Sequence, residues 1–163
     1  MAPEPETSLA RATTVPLLVS HQVALDLGRA MAAMTNVDWL GSMESSPAGL
    51  AGWRRVSTIL VLPITDGSAP GPVRKGAWVD LGPATVSDDA VVLDVGWQSD
   101  SMTPLFPVFA GQLRITPDGL FLEGRYAPPF GRLGLLIDER ILHFIAQRTG
   151  QAFLDRLANR IAG

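Results

Sequence analysis

Hydrophobic and polar residues alternate along most of the middle of the chain. Five segments follow this two-residue period: 53–64, 73–81, 90–98, 105–115 and 120–127. Such alternation is typical of half-buried strands, and turn-forming Gly, Pro and Asp residues separate the segments. Because no segment of helical period interrupts the series, consecutive strands are expected to pair antiparallel. The pattern therefore predicts an antiparallel meander.

The alternation also predicts which face of each strand is buried. The hydrophobic side of the later strands contains Val91, Leu93, Val95, Trp97, Phe109, Leu113, Ile115, Leu120, Leu122 and Tyr126. Charged side chains fall on the opposite side: Asp80, Asp94, Arg114, Glu123 and Arg125. One face of the sheet is therefore predicted to be apolar, and the titratable groups are predicted to lie away from it.

Two further elements are predicted before the meander. Residues 8–19 have the pattern of a first strand, and Pro16 places it at a sheet edge because proline cannot donate to a ladder. Residues 21–34 have apolar positions at helical spacing, with Ser20 as the predicted N-cap. Residues 35–43 are predicted to form a short second helix or a turn.

The last segment, from about residue 133 to residue 162, has the hydrophobic period of a helix. Its buried stripe is predicted to contain Leu135, Leu142, Ala146, Thr149, Phe153 and Leu157. Four more hydrophobic residues widen the stripe near the helix start: Ile137, Ile141, Phe144 and Ile145. The preceding YAPPFGRLG (126–134) ends a strand at two prolines and reverses the chain at its glycines. The helix is therefore predicted to fold back along the sheet, with Gly150 permitting a close approach.

The composition is apolar for a chain of this size. Of 163 residues, 47% are hydrophobic and 18% are charged. This excess is expected to line a thick core, an internal cavity or a subunit interface. The length suits one domain, so we predict a single domain over residues 8–163 after a disordered N-terminus at residues 1–7.

Charge and residue counts exclude several kinds of site. A net charge of −3 makes nucleic acid an unsuitable partner, since phosphate binding needs a basic surface. The absence of cysteine and the presence of two histidines argue against a metal site, and no motif for a cofactor is found. The N-terminal MAPEPETS is not a signal peptide, and no apolar run is long enough to span a membrane. We therefore predict a cytoplasmic protein without metal or cofactor.

Three segments resemble a known family. LFPVFAGQLRI (105–115), LEGRYAPPFGRLG (122–134) and IAQRTGQAFLDRLANRI (145–161) are similar to uncharacterised bacterial members of the START-like helix-grip superfamily (SRPBCC), which includes polyketide cyclase/dehydrase-like proteins. The resemblance implies an α+β fold. In this helix-grip fold, a curved antiparallel sheet of about six or seven strands wraps around a long C-terminal helix, with one or two short helices after the first strand.

The resemblance also implies a cavity between the sheet and the C-terminal helix, which relatives use to hold lipids, polyketides or isoprenoid-like molecules. A small apolar ligand is thus the expected partner. The residues expected to line its site are Met34, Trp39, Trp97, Phe109, Leu113, Leu122, Tyr126, Ile141, Leu142 and Ile145.

Few side chains of the apolar face are candidates for chemistry. Tyr126 is the only tyrosine and is expected to point inward, where its hydroxyl could donate to a ligand carbonyl or bond to the backbone. His143 lies at the margin of the helical stripe, as a solvated histidine or as a catalytic base. His21 and Asp26 are interpreted as a surface pair. Trp78 falls opposite the apolar residues of its strand, either as a dimer contact or as an error in the assigned face.

Three functions stay open at this point. The scarcity of titratable groups on the apolar face favours a binding protein over an enzyme, because an acid or base must reach its substrate. The second alternative is a polyketide cyclase or dehydratase, with Tyr126 as hydrogen-bond donor and His143 as base. The third is an interaction module that uses its apolar excess in a homodimer interface.

Overall fold

The computed structural model describes residues 14–44, 51–62, 73–101, 108–127 and 139–163. Within them it has eight strands and two helices: β1 (Val15–Gln22), α1 (Leu27–Thr35), β2 (Ser42–Glu44), β3 (Arg54–Leu62), β4 (Val73–Leu81), β5 (Thr85–Val86), β6 (Val91–Ser99), β7 (Val108–Thr116), β8 (Gly119–Ala127) and α2 (Glu139–Ala162). The predicted α+β helix-grip class is confirmed. The predictions for residues 1–7, for the two prolines and glycines after β8 and for the first turn of the C-terminal helix lie outside the described residues.

All strand pairs are antiparallel, in the order β1-β8-β7-β6-β4-β3-β2, with β5 paired to β6. The sheet has eight strands instead of the expected six or seven, since β2 and β5 are two short additions of three and two residues. β1 stands at one end of the order, so the edge position predicted from Pro16 is confirmed.

The sheet curves around α2. The helix contacts β1 and β8 near one end of the strand order and β3 near the other end. We call the face toward α2 the inner face and the opposite face the outer face. All ten apolar residues assigned to the buried side of β6, β7 and β8 are at most 2% exposed, which confirms the predicted faces.

The predicted helix at residues 21–34 is wrong in its first part. His21 and Gln22 continue β1, where they pair with Leu120 and Gly119 of β8. α1 begins only at Leu27, after Asp26, whose carboxylate accepts from the backbone N–H of Arg29 at 2.8 Å and caps the helix. Pairing with β8 therefore overrides the helical period of this segment. Residues 38–40 form a turn, one of the two predicted outcomes.

α2 buries the predicted stripe. Leu142, Ala146, Thr149, Phe153 and Leu157 are all at most 5% exposed. The hydrophobic residues predicted to widen the stripe at the helix start differ in exposure. Ile145 is buried, but Ile141 is 50% exposed and Phe144 is 46% exposed. Two of the residues expected to widen the buried surface therefore lie at the protein surface.

Two glycines bring β7 and β8 unusually close. Gly111 pairs with Gly124, and the ring of Phe109 lies over both on the inner face. A Cβ on either glycine would lie 2.7 Å from Cζ of Phe109 and 2.6 Å from the Cα of the other glycine. The missing side chains make room for the aromatic ring.

Two arginines fix the α1–β2 segment to the rest of the fold. Arg156 of α2 donates to the carbonyl oxygen of Trp39 at 2.7 and 3.1 Å and to Oγ1 of Thr58 at 3.1 Å. Arg54 of β3 donates to the carbonyl oxygens of Met34 and Thr35 at the C-terminal end of α1. Burial lowers the pKa of both guanidinium groups from its ordinary value, because the protein replaces part of their hydration.

The outer face has a buried ion pair. Arg55 donates to both carboxylate oxygens of Asp80 at 2.7 and 2.8 Å, and Asp80 is 5% exposed. This hydrogen bonding raises the pKa of Arg55. The same guanidinium lies 5.2 Å from the ring centre of Trp78. Trp78 therefore does face away from the apolar side of β4, where Arg55 covers part of its ring.

Candidate functional site

The centre of the inner face is an aromatic cluster formed by Trp39, Trp97, Phe109 and Phe153. Trp97 stacks on Phe109 with ring centres 4.4 Å apart, and Phe153 contacts Trp97 at 5.7 Å. Trp39 lies 6.4 Å from Phe153 at the C-terminal half of α2, and its Nε1 donates to the carbonyl oxygen of Ala33. The cluster fills this part of the space between sheet and helix with side chains that contact one another.

Trp97 has one unusual property inside this cluster. Its side chain is 2% exposed, and its indole Nε1–H has no hydrogen-bond acceptor among the described residues. A buried donor that is left unpaired costs about 1–3 kcal/mol. The interior therefore contains a donor that an acceptor from another molecule would satisfy.

Tyr126 and His143 meet at the N-terminal half of α2. The Tyr126 hydroxyl and Nδ1 of His143 are 3.2 Å apart, and the two ring centres are 6.0 Å apart. When Nε2 carries the imidazole proton, the hydroxyl donates to Nδ1. Tyr126 is 2% exposed, as predicted for an inward residue, whereas His143 is half-buried. The two candidates for chemistry are thus in direct contact.

The structure does not enclose all ten residues expected to bind ligand in one place. Leu122, Tyr126, Leu142 and Ile145 are buried on the side of His143. Met34 is buried in α1 and Trp39 lies at the other end of α2, so neither is near Tyr126. In the sheet, Phe109 pairs with Tyr126 and Leu113 pairs with Leu122, and Trp97 follows beside Phe109. Ile141 is half exposed, so its side chain is not enclosed with the others.

Two of the surface clefts adjoin the faces of the sheet considered above. One, of about 490 Å³, runs between β1 and α2 and is lined by Leu17, Leu18, His143 and Gln147, among others. It reaches His143, the more exposed member of the Tyr126–His143 pair. The other, of about 590 Å³, lies over β6 and β7 and is lined by outer-face side chains that include Asp94, Gln112 and Glu123. The sequence pattern indicated neither cleft.

The predicted surface pair of His21 with Asp26 is wrong. His21 lies in β1, and its Nδ1 donates to Oδ1 of Asp155 in α2 at 2.7 Å. Nε2 of Gln151 donates to the same oxygen at 2.8 Å. Asp26 instead caps α1. These three polar groups connect the sheet edge to α2, and the cap residue Asp26 was the local signal that could have moved the helix start away from His21.

Of the side chains that the structure describes, Tyr126, His143 and the indole of Trp97 offer hydrogen bonding and proton transfer beside apolar walls. Among the described residues, no cluster of His, Asp or Glu has the arrangement of a metal site. Asp94, Glu123, Arg114 and Arg125 are exposed on the outer face, where the sequence pattern predicted them.

In the described part of the chain, neither helix has the length and hydrophobicity needed to cross a membrane. Comparison of the chain with protein-family models, with curated proteins and with solved structures finds no match.

Proposed function

We propose that the protein binds a small, mainly apolar molecule between the N-terminal half of α2 and the sheet. The observation that carries the proposal is the hydrogen bond between Tyr126 and His143 at 3.2 Å, since it places a polar pair next to a buried apolar surface. Sites for small molecules typically combine such walls with a few oriented polar groups. The ligand class is a lipid, polyketide or isoprenoid-like molecule with a carbonyl or carboxyl group.

The walls of this site are Leu122, Leu142 and Ile145, each at most 5% exposed. The cleft beside His143 is the entrance. The aromatic cluster forms the closed end of the site. There, the indole Nε1–H of Trp97 has no acceptor among the described residues. This arrangement suits a molecule whose polar group binds at Tyr126 and whose mainly apolar remainder carries an acceptor that reaches the Nε1–H of Trp97.

Membership of the START-like helix-grip superfamily is part of the same proposal. The order of elements supports it: an edge strand, a short helix, a run of antiparallel strands and a long C-terminal helix. The motifs at residues 105–115, 122–134 and 145–161 supply the second support. A location in the cytoplasm is also part of the proposal.

Two measurements test ligand binding. Native mass spectrometry of freshly purified protein should show a co-purified small molecule, and titration with the fluorescent fatty acid cis-parinaric acid should show saturable uptake. Tyr126→Phe should weaken uptake about five- to tenfold, since one hydrogen bond contributes about 1 kcal/mol. His143→Ala should weaken it as well.

His21→Ala provides the matched control, since His21 bonds to Asp155 outside the proposed site. Its affinity for cis-parinaric acid should equal that of the unmodified chain. Absence of both a co-purified molecule and probe uptake would reject the proposal. Equal weakening by His143→Ala and His21→Ala would reject the assignment of the site.

The same hydrogen bond favours a second candidate, a cyclase or dehydratase. Tyr126 would then donate to a substrate carbonyl while His143 accepts a proton. Mass spectrometry of a co-purified molecule before and after incubation with the protein separates the two candidates. An unchanged mass supports binding alone, whereas loss of water that depends on Tyr126 supports the dehydratase.

A further inference from the structure

On its side away from β8, β1 has a backbone edge that pairs with no strand of the described residues. The backbone N–H of Val23 donates to the carbonyl oxygen of Asp118 at 3.1 Å, in the turn before β8. Successive residues of a strand direct their backbone groups to opposite sides. The odd-numbered residues of β1 therefore bond toward β8. Leu18, Ser20 and Gln22 direct their N–H and C=O groups outward, where no other described strand pairs with them.

α2 runs parallel to β1 beside this edge. Gly150 lies against Val19, since a Cβ at Gly150 would be 3.1 Å from Cγ2 of Val19. Further along both elements, Asp155 accepts from His21 at 2.7 Å. Residue numbers thus increase together in strand and helix. Ser20 therefore lies opposite the part of α2 between Gly150 and Asp155.

The exposed side of α2 has a positive group, Arg148, and a negative group, Asp155. Along the helix, one lies before and the other lies after the point that is opposite Ser20. Arg148 lies before that point and lines a groove with Leu18 and Ser20. Asp155 lies after it, about two helical turns further along. Two hydrophobic side chains are exposed on the same surface: Leu18, which is 66% exposed, and Phe144 next to Arg148, which is 46% exposed.

We propose that this surface, the β1 edge with the adjoining side of α2, binds a second copy of the chain. The two β1 strands pair antiparallel about a two-fold axis at Ser20. Pro16 selects this register, because it faces outward and has no N–H to donate. With the axis at Ser20, Leu18 faces Gln22 of the other copy, and Pro16 lies beyond the paired segment. Three facing pairs with two bonds each give about six hydrogen bonds.

The charges of α2 complement one another under the same axis. Since the axis reverses the direction of the second helix, Arg148 of each copy comes to the level of Asp155 of the other copy. The carboxylate of Asp155 already accepts from His21 and Gln151, and the guanidinium would add a third donor. The pairing makes one continuous sheet of both copies and covers the exposed side chain of Leu18. This proposal does not depend on the proposed ligand.

The first experiment measures the mass of the full-length chain by sedimentation equilibrium over a wide range of concentration. The unmodified chain should show a monomer–dimer equilibrium. Ser20→Pro should raise the dimer dissociation constant about a hundredfold, because each copy loses an outward donor at the centre of the pairing. Ser20→Ala retains the N–H and should leave the constant unchanged. A monomer at every concentration overturns the proposal, as does a dimer unaffected by Ser20→Pro.

The second experiment exchanges the charges. Arg148→Asp should weaken the dimer about tenfold, because like charges then face each other. The double variant Arg148→Asp, Asp155→Arg should restore most of that loss. Arg114→Asp makes the same charge change on the exposed outer face of β7 and should have no effect. If Arg148→Asp weakens the dimer and the double variant does not restore it, then Arg148 of one copy does not face Asp155 of the other, and this part of the proposal is overturned.

Amide hydrogen exchange followed by NMR locates the contact and also reports whether each variant is folded. The amides of Leu17 and Val19, which bond to β8, should be protected at every concentration. Those of Leu18, Ser20 and Gln22 should become protected only as the concentration of protein rises. Protection of the outward amides that is independent of concentration would mean that another part of the same chain covers the edge, and it would overturn the proposal.

Discussion

At the scale of single residues, Phe153 and Ile141 have opposite environments on the same helix. Phe153 is 2% exposed and contacts Trp39 and Trp97, whereas Ile141 is 50% exposed. Phe153→Ala should lower the free energy of unfolding by about 3–5 kcal/mol, because it opens a cavity within packed rings. Ile141→Ala should lower it by about 0.5–1 kcal/mol, since half of that side chain is already in water. Urea denaturation of both variants measures the difference.

The comparison also tests which end of the interior accepts a ligand. If the aromatic cluster is the closed end, then Phe153→Ala enlarges it, and uptake of cis-parinaric acid should rise or stay unchanged in the folded variant. A loss of stability that is equal in the two variants would contradict the burial of Phe153. The sequence placed Phe153 in the buried stripe and Ile141 on the surface that widens it. The exposure of Ile141 could not be predicted, because the pattern does not show where the sheet ends beneath the helix.

At the scale of elements, Gly150 controls how closely α2 approaches β1. A Cβ at this position would lie 3.1 Å from Val19 and 3.4 Å from Leu122, closer than most side chains pack. Gly150→Ala should therefore stay within about 1 kcal/mol of the unmodified chain, because the gain in helix propensity offsets the crowding. Gly150→Val should destabilise by more than about 2 kcal/mol, as its added methyl groups force the elements apart.

Ala152→Gly is the matched control for this helix, because Ala152 is exposed. It should lose about 1 kcal/mol, the propensity difference alone. Thermal unfolding followed by circular dichroism compares the three variants. If Gly150→Ala raises the stability by the full difference in helix propensity, then Val19 moves away from the new methyl group without a cost in free energy.

The alternation of residues predicted the sheet well and the first helix poorly. β4 begins and ends at the predicted residues, Val73 and Leu81, because Gly- and Pro-containing segments bound it on both sides. Residues 21–26 instead have the helical period and yet continue or follow β1. Their conformation is decided by hydrogen bonds to the distant turn before β8, and a local pattern does not contain that contact.

The candidate site was predicted in its parts and not in its arrangement. The inward direction of Tyr126 followed from the period of β8, and the position of His143 at the margin of the stripe followed from the period of α2. Their contact depends on the register between helix and sheet, which periodicity leaves undetermined. The approach of Gly150 to Val19 fixes that register in the folded protein.

At the scale of the whole molecule, the fold closes only when the end of the chain is present. β1 pairs with β8, and α2 covers β1, β3 and β8 together. A chain of residues 1–138 should therefore remain largely unfolded, because the short α1, which contacts β6 and β7, cannot alone bury the Leu, Phe and Trp side chains of the inner face. Dispersion of its amide NMR signals measures this outcome.

Adding a peptide of residues 139–163 to that fragment should restore the dispersion in proportion to the peptide added. The same peptide with Phe153→Ala is the control and should restore less, since it lacks the side chain that contacts Trp39 and Trp97. A well-dispersed spectrum of the fragment alone would show that the sheet folds without α2.

The glycine pair of β7 and β8 has a consequence for how this sequence can change over evolutionary time. At most positions the tolerance of a substitution declines gradually with the size of the new side chain. At Gly111 and Gly124 the first carbon of any side chain would already meet the opposite strand and the ring of Phe109, so all substitutions should fail alike. Neighbouring positions such as Gln112 remain free to vary. A phenylalanine two residues before a strand glycine, with a second glycine facing it on the next strand, is therefore a mark by which very distant relatives could be recognised after overall sequence identity has been lost.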